Sequence, residues 1–156
     1  MSECVWDYPR PPRLEPTPRR IRILHAGQVV VDSTSSLRIL ETSHPPVYYL
    51  PRTAIAPGML QRSASRASFC EFKGLATYWN LLVPGAEPVV DAAWSYEQPS
   101  VRYAALRSHL AFYASKLDEC WVDEERVLPQ AGDFYGGWIT SDLRGPFKGA
   151  PGTRNW

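Results

Sequence analysis

Four residues near the middle of the chain have the types and spacing to do chemistry: Glu41, His44, Cys70 and Lys73. Cysteine attacks as its thiolate, and a neighbouring cation or imidazole makes that form available. Lys73 and His44 are the candidates for that role. Lys73 could itself act as an attacking amine, as in adenylyl transfer, or could hold a phosphate together with Gly74. Glu41 and His44 bracket Thr42-Ser43 in front of Pro45-Pro46, and a carboxylate beside an imidazole can orient a general base. Pro45 restrains the backbone around His44.

Each of these has a plainer reading. Most free cysteines are small buried apolar residues. Strand alternation groups Cys70 with Phe72 and sets Lys73 with Glu71 on the opposite face. A lysine at a turn ordinarily sits in solvent, and a histidine beside prolines can simply cap a turn. The chain lacks the Gly-Ser and Asp-x-Asp pattern of common nucleotidyltransferases and has no Walker-type glycine loop. Two-metal phosphoryl transfer needs several convergent carboxylates. His25, His44 and His109 lack metal-ligand spacing, so no metal site and no cofactor are expected.

The second constellation is aromatic: Tyr48, Tyr49, Tyr78, Trp79, Trp94 and Tyr96. On strands, residues two apart share a face, so Trp94 and Tyr96 point the same way while Tyr48 and Tyr49 diverge. Strands each offering one ring would wall a pocket able to stack a flat heterocycle or hold a cation. The expected wall is Tyr48, Tyr78, Trp94 and Tyr96, with Glu41, His44 and Lys73 as polar contacts. The competing reading is a Trp/Tyr-rich core, which claims at least half of these rings.

The elements that must position these residues are short. Fifteen prolines and ten glycines are spread through 156 residues, beside six Trp and eight Tyr, a composition that favours strands and turns over a helical bundle. Residues 1–20 form a Pro-rich arm lying extended on the domain, anchored by Trp6. Residues 21–128 form a β-rich core, and residues 129–156 a Gly/Pro-punctuated extension packed on it. Strands are expected around Ile21-Leu24, Val29-Asp32, Leu37-Glu41, Val47-Leu50, Met59-Arg62, Val89-Tyr96, Leu110-Tyr113 and Cys120-Val122. Val101 to His109 reads as the one short helix. Ser68 to Trp79 reads as a hairpin with Lys73-Gly74 as its loop, pairing Phe72 with Leu75, Cys70 with Thr77 and Ser68 with Trp79. The fold class is therefore mainly β: a small antiparallel domain with one short helix and two extensions.

A net charge of +1 argues against a dedicated nucleic-acid or membrane-surface binder. The arginines of the arm (Arg10, Arg13, Arg19, Arg20 and Arg22) could neutralise the acidic stretch Asp118, Glu119, Asp123, Glu124 and Glu125, within the fold or across a homodimer. Cys4, Cys70 and Cys120 are odd in number and contain no CxxC pair, which excludes a four-cysteine zinc site. No secretory pattern opens the sequence and no apolar run reaches membrane-span length, so a cytoplasmic location is expected.

Four stretches carry a family resemblance. They are Glu41-Thr42-Ser43-His44-Pro45-Pro46-Val47-Tyr48-Tyr49-Leu50-Pro51, Cys70-Glu71-Phe72-Lys73-Gly74-Leu75-Ala76-Thr77-Tyr78, Ala93-Trp94-Ser95-Tyr96 and Leu110-Ala111-Phe112-Tyr113. In this order they resemble the family called domain of unknown function 427, over roughly residues 21–118. The resemblance implies a small β-rich fold with a tent-like, Mss4-like sheet arrangement. The family's label of nucleotidyltransferase implies group transfer as an activity. Family members often carry Pro and Tyr after the cysteine, where this chain has Glu71 and Phe72.

Two functions follow. The first is a binding module whose aromatic pocket takes a polar or heterocyclic small molecule. The second is a group-transfer enzyme, nucleotidyltransferase-like through Lys73 or thiol-based through Cys70.

Overall fold

A computed structural model describes residues 2–65, 68–132 and 134–156. The strands in chain order are β1 (Glu3–Cys4), β2 (Arg13–Thr17), β3 (Ile21–His25), β4 (Gln28–Ser33), β5 (Ser36–Leu40) and β6 (Val47–Pro51). They continue with β7 (Leu60–Arg62), β8 (Ser68–Cys70), β9 (Gly74–Leu81), β10 (Val89–Ser95) and β11 (His109–Phe112). The last are β12 (Glu119–Val122), β13 (Glu125–Arg126), β14 (Leu128–Pro129), β15 (Trp138–Ile139) and β16 (Leu143–Arg144).

Eight strands form the larger sheet, ordered β2-β5-β6-β11-β10-β9-β7, with β8 also pairing β9. Four form a second sheet, β13-β12-β3-β4. The chain is mainly β and its long ladders are antiparallel. Two small pairings tie down the ends: β1 runs parallel to β16, and β14 pairs antiparallel with β15. Pro16 sits in β2, at the edge of the larger sheet, where a residue without an N–H is tolerated.

Strand alternation gives the larger sheet two different faces. Tyr48, Leu50, Trp79, Leu81, Leu110 and Phe112 join Ile21, Ile23, Val31, Cys120 and Val122 of the smaller sheet in the main core. Their immediate neighbours Tyr49, Ala111 and Tyr113 point the other way, as does Trp94 beside core-facing Ala93, into a second cluster with Tyr96, Tyr103 and Leu106. Each large ring covers roughly 150–250 Å², worth about 25 cal/mol per Å² removed from water. This second cluster is therefore a substantial part of the stabilisation as well as the setting of the site. Trp79 Nε1 donates to Ser95 Oγ at 2.8 Å, which satisfies a buried indole between the two layers.

A bulge in β10 shifts the β9–β10 register between Val89 and Ala93, with Asp91 at a φ of 53°. Beyond it Trp94 pairs with Tyr78 and Ser95 with Thr77. Bulges re-aim the side chains beside them, and here the rings that follow enter the second cluster. Asp91 accepts hydrogen bonds from Ser63 Oγ (2.5 Å) and Ser65 Oγ (2.7 Å), which pins the bulge.

Several local expectations are corrected. The short helix expected over Val101 to His109 is shortened to 3-10 helix over Val101–Leu106, kinked at Tyr103 (φ −111°, ψ 25°). Ser100 Oγ donates to Phe72 O instead of capping the segment, and Tyr103 Oη donates to Pro12 O at 2.6 Å. Those bonds tie the segment to the hairpin loop and to the arm. The β8–β9 hairpin pairs Cys70 with Gly74, Phe69 with Leu75 and Ser68 with Ala76. Its loop is Glu71, Phe72 and Lys73, with Gly74 at a φ of 111° where the chain turns back. Glycine takes that conformation without strain, so it opens the return strand.

In the arm, Val5 is fully buried with Tyr8 and Leu40, whereas Trp6 remains 39% exposed. Arg19 Nε donates to Asp123 Oδ2 at 2.9 Å, and Arg22 Nη2 to Asp123 O at 3.0 Å. Arg10 pairs instead with Glu41, Arg13 with Glu15 and Arg20 with Asp32. The β3–β12 register, which sets Ile21 opposite Val122, brings Arg19 and Arg22 within reach of the turn at Asp123. No helix among the described residues is long and apolar enough to cross a membrane.

Candidate functional site

The aromatic face of the larger sheet encloses a cavity of about 260 Å³. Its floor is Tyr49 from β6, Trp94 from β10, Tyr96 just beyond β10, and Tyr113 just beyond β11. Trp94 lies 4.6 Å from Tyr113 at 42° and 6.2 Å from Tyr49 at 83° (centroid distances). Its Nε1 donates to Tyr49 Oη at 3.3 Å. Trp94 and Tyr96 are 7% and 6% exposed, so both pack in the cluster and border the cavity. Burial, the largest cause in each case, pushes the hydroxyls of Tyr49, Tyr96 and Tyr113 above the usual tyrosine range. They stay protonated near neutrality and can donate.

The β8–β9 hairpin forms one wall, with Cys70, Lys73, Ala76 and Tyr78. Tyr78 Oη is held by Ser68 Oγ at 2.7 Å. The segment leading into β6 forms a second wall, with Glu41, His44 and Pro45. Gln130, Phe134, Tyr135 and Gly136 of a strap, together with Lys148, form the third. The strap lies close: a Cβ on Gly136 would run into the Trp94 ring, and one on Gly137 would meet Gln130 and Pro45 at 2.6 Å. Trp138 locks the strap behind these glycines, its N–H donating to Pro46 O (2.8 Å) and its Nε1 to Phe112 O (3.0 Å).

The protonation of His44 follows from its partners. Gln130 Oε1 accepts from Gly137 N at 3.0 Å, and Gln130 Nε2 donates to Lys148 O at 2.7 Å. That fixes the amide orientation and leaves Nε2 donating to His44 Nδ1 at 3.2 Å. His44 Nδ1 is therefore an acceptor, and the ring is neutral with its proton on Nε2. Burial, aided by Lys148, Arg10 and Lys73, lowers its pKa to about 4. The nearest carboxylate oxygen, Glu41 Oε2, is 3.7 Å from Nε2 and 3.5 Å from Arg10 Nη2.

Lys73 is only 8% exposed, with its Nζ 5.8 Å from the centroid of the Tyr96 ring. Among the described residues no carboxylate pairs with it. Lys148 Nζ lies 5.4 Å from the Tyr135 centroid and donates to Trp156 O at 3.3 Å.

Of the residues singled out in the sequence, Glu41, His44, Cys70, Lys73, Tyr78, Trp94 and Tyr96 all border this cavity. Tyr48 does not. It faces the main core, 5.5 Å from Trp138, and its neighbour Tyr49 takes the place expected of it. The cause is alternation: two adjacent tyrosines had to diverge, and the smaller sheet covers the side that Tyr48 faces. Tyr113, Gln130, Tyr135 and Lys148 were not anticipated. Tyr113 ends one of the family-like stretches, but the other three sit in the irregular tail, where no periodicity marks a shared face.

Among the described residues there is no group of three or more His, Cys, Asp or Glu able to hold a metal ion. No curated protein sequence matches the chain. The family model described as a domain of unknown function (DUF427) matches residues 13–123, more than half of the chain. All four stretches singled out for their resemblance fall inside that match, and the chain belongs to the DUF427 family.

Proposed function

We propose that this domain binds a small polar or heterocyclic molecule in the aromatic cavity. Tyr49, Tyr78, Trp94 and Tyr96 would surround the ligand, and Glu41, His44 and Lys73 would supply polar contacts. The observation that carries the reading is the convergence of a floor and three walls on one cavity: apolar aromatic surface with a few placed polar groups, the usual make-up of a small-molecule site. At about 260 Å³ the space suits a compact ligand.

Group transfer has weaker support. A base for Cys70 would need a free imidazole nitrogen lone pair, but the Nδ1 lone pair of His44 is taken by Gln130 and Nε2 carries the proton. A two-metal reaction at Lys73 calls for convergent carboxylates, and Glu41 is turned toward Arg10.

A thermal-shift and NMR screen against nucleobases, nucleotides, quaternary amines and aromatic acids tests the binding reading. A saturable compound that raises Tm and shifts resonances of the cavity walls supports it, whereas a panel that is silent at millimolar concentration removes it. Alkylation rates of Cys70 against pH, beside Cys4 and Cys120, test the thiol alternative. A Cys70 profile midpoint well below the ordinary thiol range would revive it.

A further inference from the structure

We infer that the cavity selects a compact planar anion, an aromatic or heteroaromatic ring bearing one carboxylate, with the ring over the Trp94–Tyr96 floor and the carboxylate at Lys73. This rests on the binding reading above and narrows it to one ligand class.

The first reason is Lys73 itself. Its side chain is more than nine-tenths buried and borders the cavity, and no carboxylate among the described residues pairs with it. The stem is buried while the ammonium reaches accessible space, where an opposite charge would stabilise it. In this chain its company is the face of Tyr96. A carboxylate entering the cavity would supply the missing partner by a charge-assisted hydrogen bond.

The second reason separates anions from cations. Aromatic walls alone would equally suit a quaternary ammonium. Here two of the protein's own ammonium groups border the cavity and lie toward ring faces, Lys73 at Tyr96 and Lys148 at Tyr135. A cationic guest would meet like charge at both.

The third reason is the donor set. His44 presents Nε2–H because Gln130 occupies Nδ1, and the phenols of Tyr49 and Tyr96 are protonated near neutrality, whereas Tyr113 Oη already donates to Phe134 O at 3.1 Å. The carboxylates bordering the cavity are Glu41 and Glu71. Arg10 lies 3.5 Å from Glu41, and Glu71 is exposed at the rim. With Glu41 paired to Arg10 and Glu71 at the rim, Lys73 and Lys148 are the charges left facing this part of the cavity.

The fourth reason is size. A space of about 260 Å³ suits one ring bearing one small acidic group.

The test compares three probes of similar size by two-dimensional NMR titration: benzoate, benzamide and phenyltrimethylammonium. Benzoate is expected to shift the amides of residues 70–76 and 134–137 saturably, with a Kd about ten-fold or more below that of benzamide, as a charge-assisted bond implies. Added salt should weaken benzoate and leave benzamide unchanged. Lys73→Gln should bring benzoate to the benzamide level, while Lys73→Arg keeps the preference. The wild-type comparison needs no variant, so it stands even if Lys73→Gln misfolds. If benzamide or phenyltrimethylammonium binds as tightly as benzoate, the anion inference is overturned and the binding reading survives. A folded Lys73→Gln with unchanged benzoate affinity overturns it equally. If no probe shifts the cavity resonances and the wider screen is also silent, both fall together.

Discussion

Gln130 Nε2 donates to His44 Nδ1 across 3.2 Å, joining the strap to the segment that leads into β6. Because Gly137 N–H and Lys148 O fix which way the Gln130 amide faces, this one contact sets the protonation of a buried ring. Protonating Nδ1 would set two donors against each other.

Gln130→Glu should reverse that preference. A carboxylate at this position accepts from Nδ1–H and attracts the imidazolium. The His44 pKa, about 4 in the native chain, is expected to rise by at least about one unit, since one unit corresponds to about 1.4 kcal/mol of differential interaction. Titration of the His44 ring resonances by NMR reads this directly. An unchanged value would mean that the Gln130 contact does not govern the ring.

His44 should also make stability pH-dependent. Its pKa in the fold is about 4, below the ordinary 6.5. Between those values the unfolded chain takes up a proton that the folded chain refuses. The stabilisation is therefore fully present above about pH 6.5 and is lost as pH falls toward 4, by up to about 3 kcal/mol. Urea unfolding of the native chain and of His44→Asn over this range isolates the effect. The difference between the two should shrink or reverse as the solution is acidified.

Gly136→Ala should damage the cavity from its roof. The added methyl would collide with the Trp94 ring, and forcing extra volume into a packed site costs about 1–3 kcal/mol. A fall in Tm together with altered Trp94 fluorescence is expected. Gly58→Ala provides the contrast, because a Cβ there meets nothing within 4 Å and its φ of 78° contributes backbone strain alone.

Ser95→Ala should leave Trp79 Nε1 buried without an acceptor. An orphaned buried donor costs about 1–3 kcal/mol. The double variant Trp79→Phe with Ser95→Ala removes donor and acceptor together. Chemical denaturation should show it recovering part of the Ser95→Ala loss, beyond what Trp79→Phe alone would add.

The legible part of the fold was the part governed by period two. Tyr48 and Tyr49 had to diverge, and Trp94 and Tyr96 had to agree, before any sheet was placed. Which of the two tyrosines faces the cavity was not legible, because that depends on the smaller sheet covering one side of the larger. The Lys73-Gly74 turn was visible in composition, but its register was not: the positive φ of Gly74 lengthens the loop to three residues and sets Cys70 opposite Gly74. The short helix was legible, but its 3-10 form and its end at Leu106 were not: Ser100 and Tyr103 bond Phe72 O and Pro12 O, distant backbone that no local pattern records. Gln130, Tyr135 and Lys148 were hidden for the same reason. The strap has almost no periodic structure, and its place is set by Trp138 and by two glycines that let it approach.

The strap begins beyond residue 123, where the family match ends, while the floor and the hairpin wall lie within the match. The cavity is thus encoded in two separate stretches of sequence, a strand-borne half and a tail-borne half. Positions 130, 135 and 148 set the groups above the aromatic floor, and none of them is a rung of the β-ladder beneath it.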